Sequence, residues 1–101
     1  MARTRHDLSK LLHEILGSDN VYFRQPSEGM NYPCIKYDLV SGGERYADNI
    51  KYIKSRRWTI TIIDENPDSE IPERLEKLPY CSFDRTYESD GLNHFVYELY
   101  F

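Results

Sequence analysis

The sequence predicts an α+β fold: a mostly antiparallel β-sheet with two helices on one face, in the order α-β-β-β-α-β-β. Three observations carry this. Two short stretches repeat apolar residues at helical spacing, three others alternate apolar with polar residues, and an Asp-Gly pair separates two aromatic-rich runs near the end. Short amphipathic helices must each bury one stripe, and a sheet face is the economical partner. At 101 residues the chain is expected to form one core, a single domain over 1–101.

The first helix is expected from Thr4 to Leu16, because Leu8, Leu11, Leu12, Ile15 and Leu16 fall at i, i+3, i+4, i+7 and i+8. Thr4 or Asp7 favours its start, and Gly17 supplies the left-handed residue just past its end. Val21 to Arg24 reads as a short strand, and Pro26 to Asn31 is turn chemistry throughout. From Cys34 to Val40, Ile35, Tyr37 and Leu39 point one way while Lys36 and Asp38 point the other.

The pattern weakens between Ser41 and Ile53. Gly42-Gly43 marks a tight turn, and the segment reads as a long connection or the protruding end of a hairpin. Alternation returns from Arg56 to Asp64, with Trp58, Ile60 and Ile62 on one face and Arg57, Thr59 and Thr61 on the other. Asn66-Pro-Asp-Ser69 is expected to start the second helix, with Asp68 or Ser69 accepting from the first-turn N–H groups. Pro72 falls near that first turn, Ile71, Leu75 and Leu78 supply the buried side, and Pro79 stops it. Cys81 to Glu88 and Leu92 to Phe101 form a hairpin around Ser89-Asp90-Gly91. Phe95, Tyr97, Leu99 and Phe101 share a face. The helix-free face then carries Lys36, Asp38, Thr59, Thr61 and Glu98, with exposed Ile63 and Tyr100 beside them.

Composition narrows function. A net charge of −4 opposes a dedicated nucleic-acid binder, which needs clustered Lys and Arg to displace counterions. The basic cluster Lys51, Lys54, Arg56 and Arg57 leads into a strand, and solvated positions explain it better than phosphate contacts. Nine tyrosines suit interfaces, though strand preference alone accounts for most of them. Cys34 and Cys81 lie in apolar runs and read as reduced small hydrophobes. The opening Met-Ala-Arg-Thr-Arg-His does not read as a signal peptide, and no apolar run approaches a membrane span, so a reducing cytoplasm is expected.

Catalytic chemistry is not expected. His6 and His13 are seven apart, not at the i, i+4 spacing of a helical metal pair, and His94 has no ligand at suitable spacing. No serine lies in G-x-S-x-G, neither cysteine lies in a glycine-flanked elbow, and Gly42-Gly43 lacks phosphate-loop spacing. Asp64, Glu65, Asp68 and Glu70 crowd the start of the second helix, where the macrodipole favours acids. A nuclease built on them would want [DE]-x-K on the next strand, and the chain contains no such triplet. No catalytic residue, metal or cofactor is assigned.

The layout resembles the tail terminator (tail completion) proteins of long-tailed bacteriophages. The similarity spans nearly the whole chain in loose patterns of residue type. It runs from the leading helix through Tyr32-Pro-Cys-Ile-Lys-Tyr37 and the loop Tyr46-Ala-Asp-Asn-Ile-Lys-Tyr52. It continues with Trp58-Thr-Ile-Thr-Ile-Ile63, the Pro-Asp-Ser opening of the second helix and the closing aromatic hairpin. The resemblance implies a non-enzymatic homo-oligomeric ring, usually of six subunits, that caps the tail tube and joins it to the head connector. DNA would pass through without sequence-specific binding, and no membrane is involved. Such a protein works in the host cytoplasm during assembly and then in the virion. Tyr46, Asp48, Asn49, Tyr52, Arg56 and Arg57 are the candidate subunit or partner contacts; an ordinary hairpin loop packed on its own domain is the competing explanation. Three other roles stay open: a small accessory module binding a host protein, a head-completion or connector protein, and an enzyme or nuclease fragment whose metal-dependent activity would be lost on changing Asp64 or Asp68.

Overall fold

A computed structural model describes residues 5–24, 29, 31–46 and 54–101; for 41–46 and 54–56 it describes the backbone alone. The element order is α1 (Arg5–Leu16), β1 (Val21–Phe23), β2 (Cys34–Tyr46), β3 (Lys54–Asp64), α2 (Ile71–Glu76), β4 (Cys81–Ser89) and β5 (Leu92–Tyr100). The five strands make one sheet in the order β1-β2-β3-β5-β4. Every neighbouring pair is antiparallel except β1 with β2. This is the predicted α+β arrangement.

α1 buries Leu8, Leu12, Ile15 and Leu16, the stripe its spacing dictates. Gly17 ends it at φ 81°, and its N–H donates to the His13 carbonyl at 2.8 Å. His13 is half-buried, and its Nδ1 lies 2.7 Å from the Ser9 carbonyl oxygen. The side chain closes a local bond instead of standing free in solvent.

α2 departs from expectation by beginning at Ile71, later than Asn66–Ser69. Those residues compete for the backbone with their own side chains. Asp64 Oδ1 accepts from the Asn66 N–H at 3.0 Å, and Asn66 Oδ1 accepts from the Asp68 N–H at 2.9 Å. Two consecutive Asx turns result, and helix starts only beyond them. Ser69 Oγ does accept from the Ile71 N–H, at 3.3 Å, while Glu70 at the N-cap makes no side-chain cap. Leu78 falls past the helix but still packs, half-buried, on the core. Arg74 Nη1 donates to the Ile15 carbonyl at 3.1 Å, joining α2 to the carbonyl end of α1.

Gly42-Gly43 is not a turn. Both glycines lie inside β2, in a stretch where the register with β3 jumps from Leu39–Trp58 to Glu44–Arg56. Four β2 residues there face only Arg57, so the extra residues bulge from the ladder. A bulge also breaks the period of two, which is why this segment shows no clean alternation. Among the described residues a hairpin turn forms at Asp90-Gly91, at φ 54° and 75°.

The core lies between the two helices and one sheet face. Cross-strand neighbours Ile35–Ile62, Tyr37–Ile60, Ile60–Tyr97 and Trp58–Leu99 stack through its centre, all buried. Phe23, Tyr37 and Trp58 form a tilted cluster with ring centroids 5.2–6.4 Å apart, and Arg5 and Arg24 cover the outer Phe23 ring. The Tyr97 hydroxyl donates to the Glu76 carboxylate, so a buried phenol on β5 is pinned by α2.

Candidate interaction surface

Three features stand apart from the core. The first is an arm. β1 covers β2 only from Ile35 to Tyr37, and β5 pairs with β3 only from Arg57 onward. Beyond those points Glu44–Arg56, Arg45–Ser55 and Tyr46–Lys54 pair with each other alone among the described strands. Of the segment 41–53, the described part to Tyr46 continues β2, and residues 47–53 lie outside the described residues. Of the six candidate contact residues, Tyr46 and Arg56 are placed on the arm's backbone, and Arg57 sits at its base opposite the bulge. Asp48, Asn49 and Tyr52 lie outside the described residues. Arg57 is half-buried, and its Nε finds no hydrogen-bond partner among the described residues.

The second feature is the β4 edge, which sequence reasoning missed. From Ser82 to Ser89 every residue is exposed. Tyr80, Phe83 and Tyr87 are 70, 55 and 44% exposed, and among the described residues these are the exposed large hydrophobics. All of them therefore lie on or beside one strand. Phe83 leans edge-on against Tyr97 on the helix side, while Tyr87 stacks on His94 at 4.5 Å on the other side. Phe83 and Tyr87 share no face because a bulge between Phe83 and Arg85 shifts the alternation. That stack is also where His94 ends up, with its Nδ1 3.1 Å from the Leu92 carbonyl oxygen.

The third is the helix-free sheet face. Lys36, Asp38, Thr59 and Glu98 are half-buried there. Lys36, Thr59, Arg85 and Tyr87 line a shallow open groove of about 340 Å³ floored by Thr61 and Val96. Ile63 was expected to be exposed but is 3% exposed, and Cys34 and Val96 beside it are equally hidden. Ile63 faces Cys34 across one strand pair and His94 across the other, so flanking side chains shield it. Tyr100 is half-buried.

The chemistry available at these places is modest. Burial pushes the Cys34 thiol up to about 11, with Lys36 opposing and Asp64 reinforcing the shift. Cys81 is also pushed up to about 11, by burial and then by Glu76. Neither thiol is activated for attack. The acids near α2 do not converge: Asp64 holds a turn, and Glu70 lies 3.8 Å from Arg74 as an exposed pair. Among the described residues no group of three or more His, Cys, Asp or Glu side chains is placed to hold a metal, and no helix is long and apolar enough to cross a membrane. No protein-family model, curated protein or solved structure matches the chain.

Proposed function

We propose that this chain is a head–tail assembly protein of the tail-terminator kind. It forms a homo-oligomeric ring, six subunits by the resemblance, on the last ring of a phage tail tube. The ring stops tube growth and presents a surface to the head connector, and DNA passes through its hole without being read. The protein acts without catalysis or cofactor, first in the host cytoplasm and then in the virion.

The observation that carries this reading is the β2–β3 arm. A small domain that extends a two-stranded arm past its own sheet, with Tyr46 and Arg56 on it and Arg57 at its base, has a built element for holding a neighbour. A net acidic chain also suits a channel that must not grip phosphates.

The test is mass in solution across a concentration series, with negative-stain imaging of the heaviest species, alone and with tail tube protein. Rings with a central hole, or capped tubes of arrested length, are the expected result. A monomer that neither self-associates nor binds tube protein overturns the proposal and leaves the accessory-module role. Rings that bind the connector and ignore the tube assign the head-completion role instead.

A further inference from the structure

We propose that neighbouring copies in this ring join edge to edge, with β4 of one copy pairing antiparallel to the outer edge of β2, Leu39 to Tyr46, of the next. The inference rests on the ring reading and names its contact.

An edge strand offers a row of free N–H and C=O groups that another strand satisfies best. Among the described strands the sheet leaves two long edges open. One is β4; the other is β2 past Tyr37, where β1 stops, an edge interrupted by the bulge between Leu39 and Glu44. β2 runs antiparallel to β3, β3 to β5, and β5 to β4, so β4 points opposite to β2. A second copy placed beside β4 in the same orientation therefore presents its β2 antiparallel to β4, and the sheet continues from copy to copy. That contact is head-to-tail, the kind that closes into a ring when the rotation between copies allows.

Charge agrees with this pairing. β4 and its turn carry Asp84, Glu88 and Asp90 against Arg85. The arm's sequence carries Arg45 on β2 and Lys54 and Arg56 on β3 against Glu44, with Arg57 at its base. The exposed rings agree too: Phe83 on one side of β4 and Tyr87 on the other would both be covered by an added strand. The bulge at Phe83–Arg85 divides the regular pairing into Cys81–Phe83 and the longer stretch Arg85–Ser89. In that stretch the Ser89–Leu92 pair closes a two-residue turn with its backbone groups facing inward. By alternation, Thr86 and Glu88 turn theirs outward.

The experiment is cysteine cross-linking between copies on a Cys81→Ser background. Glu88→Cys is combined in turn with Ser41→Cys, Glu44→Cys or Arg45→Cys, and each single variant is run alongside. At least one double variant is expected to give a ladder of covalent oligomers ending at the ring number, while the singles stay monomeric. Glu88→Pro, which removes an outward N–H, should weaken assembly more than tenfold and leave the thermal midpoint unchanged. A covalent dimer from Glu88→Cys alone means that β4 pairs with itself about a twofold axis, which overturns the head-to-tail contact. Rings that form without any double-variant ladder, and that survive Glu88→Pro, overturn the edge contact and leave the ring reading standing. Absence of rings with or without tube protein removes both.

Discussion

The two faces of the sheet are woven from the same strands, yet they are kept dry in different ways. On the helix side α1 and α2 lie across the strands, and Ile35, Ile60, Ile62, Tyr97 and Leu99 are at most 2% exposed. On the other side no described helix lies over the sheet, and Cys34, Ile63 and Val96 are hidden by their cross-strand neighbours. Burial under a helix is held in place by a rigid element. Burial among long side chains depends on rotamers that can swing away. The difference teaches that low exposure alone does not rank residues by their contribution to stability.

The sharpest test sets Ile60→Ala against Ile63→Ala, since both side chains are buried on the same strand but on opposite faces. Ile60→Ala should cost about 4 kcal/mol, because its cavity lies among packed rings, and Ile63→Ala about 2 kcal/mol, because its surroundings can collapse. Urea denaturation measures both. Equal losses would mean that the helix-free face is as rigidly covered as the other.

Next in size is Tyr97→Phe, which should cost about 1–2 kcal/mol by removing the hydrogen bond to the Glu76 carboxylate. Burial first, then that bond and the Glu76 charge, hold the phenol well above its ordinary range. The stabilisation is therefore complete below about pH 10, the unfolded value, and is lost as the pH rises beyond it. Denaturation midpoints of wild type and variant should converge in that alkaline range. A constant gap would place the gain in packing and not in the proton.

Alkylation compares the two thiols. With both pushed up to about 11, reaction at pH 8 should be slow, and half-buried Cys81 should react before fully buried Cys34. The stability linked to these raised values is present below about pH 8.5 and fades as the pH climbs toward 11. Mass spectrometry of a timed iodoacetamide reaction gives the order. Equal rates would show that the side-chain cover over Cys34 opens freely. The smallest effect belongs to the groove: Lys36→Ala or Arg85→Ala should shift stability by no more than about 0.5 kcal/mol.

Most of the helix side was legible in the sequence. The stripe from Leu8 to Leu16, the alternation Trp58-Thr-Ile-Thr-Ile and the Asp90-Gly91 turn are local patterns, and each became the element it encodes. What stayed hidden depended on neighbours distant in the chain. Gly42-Gly43 carries the composition of a turn, and only pairing with β3 makes it a bulge. Asp68 and Ser69 carry helix-cap chemistry, but Asx turns at Asp64 and Asn66 claimed the backbone first and only Ser69 bonds to the helix start. Ile63 looked exposed because nothing in its own strand reveals that Cys34 and His94 flank it. The β4 edge was hidden for the same reason. The sequence shows that residues 81–89 form a strand, whereas being outermost follows from β5 lying between it and β3.

That strand order also dictates a sequence of events as the chain is made. β5 follows β4 in the chain yet lies inside it in the sheet, bridging the local hairpin to β3. A ribosome that has delivered residues only as far as Gly91 has produced both helices and four strands that cannot join into one layer. Until Leu92–Tyr100 emerge, β3 lacks its second neighbour and the apolar surface of Trp58, Ile60 and Ile62 waits uncovered along one margin. A chain cut before Leu92 would thus leave β3 with an open edge, a margin that favours aggregation.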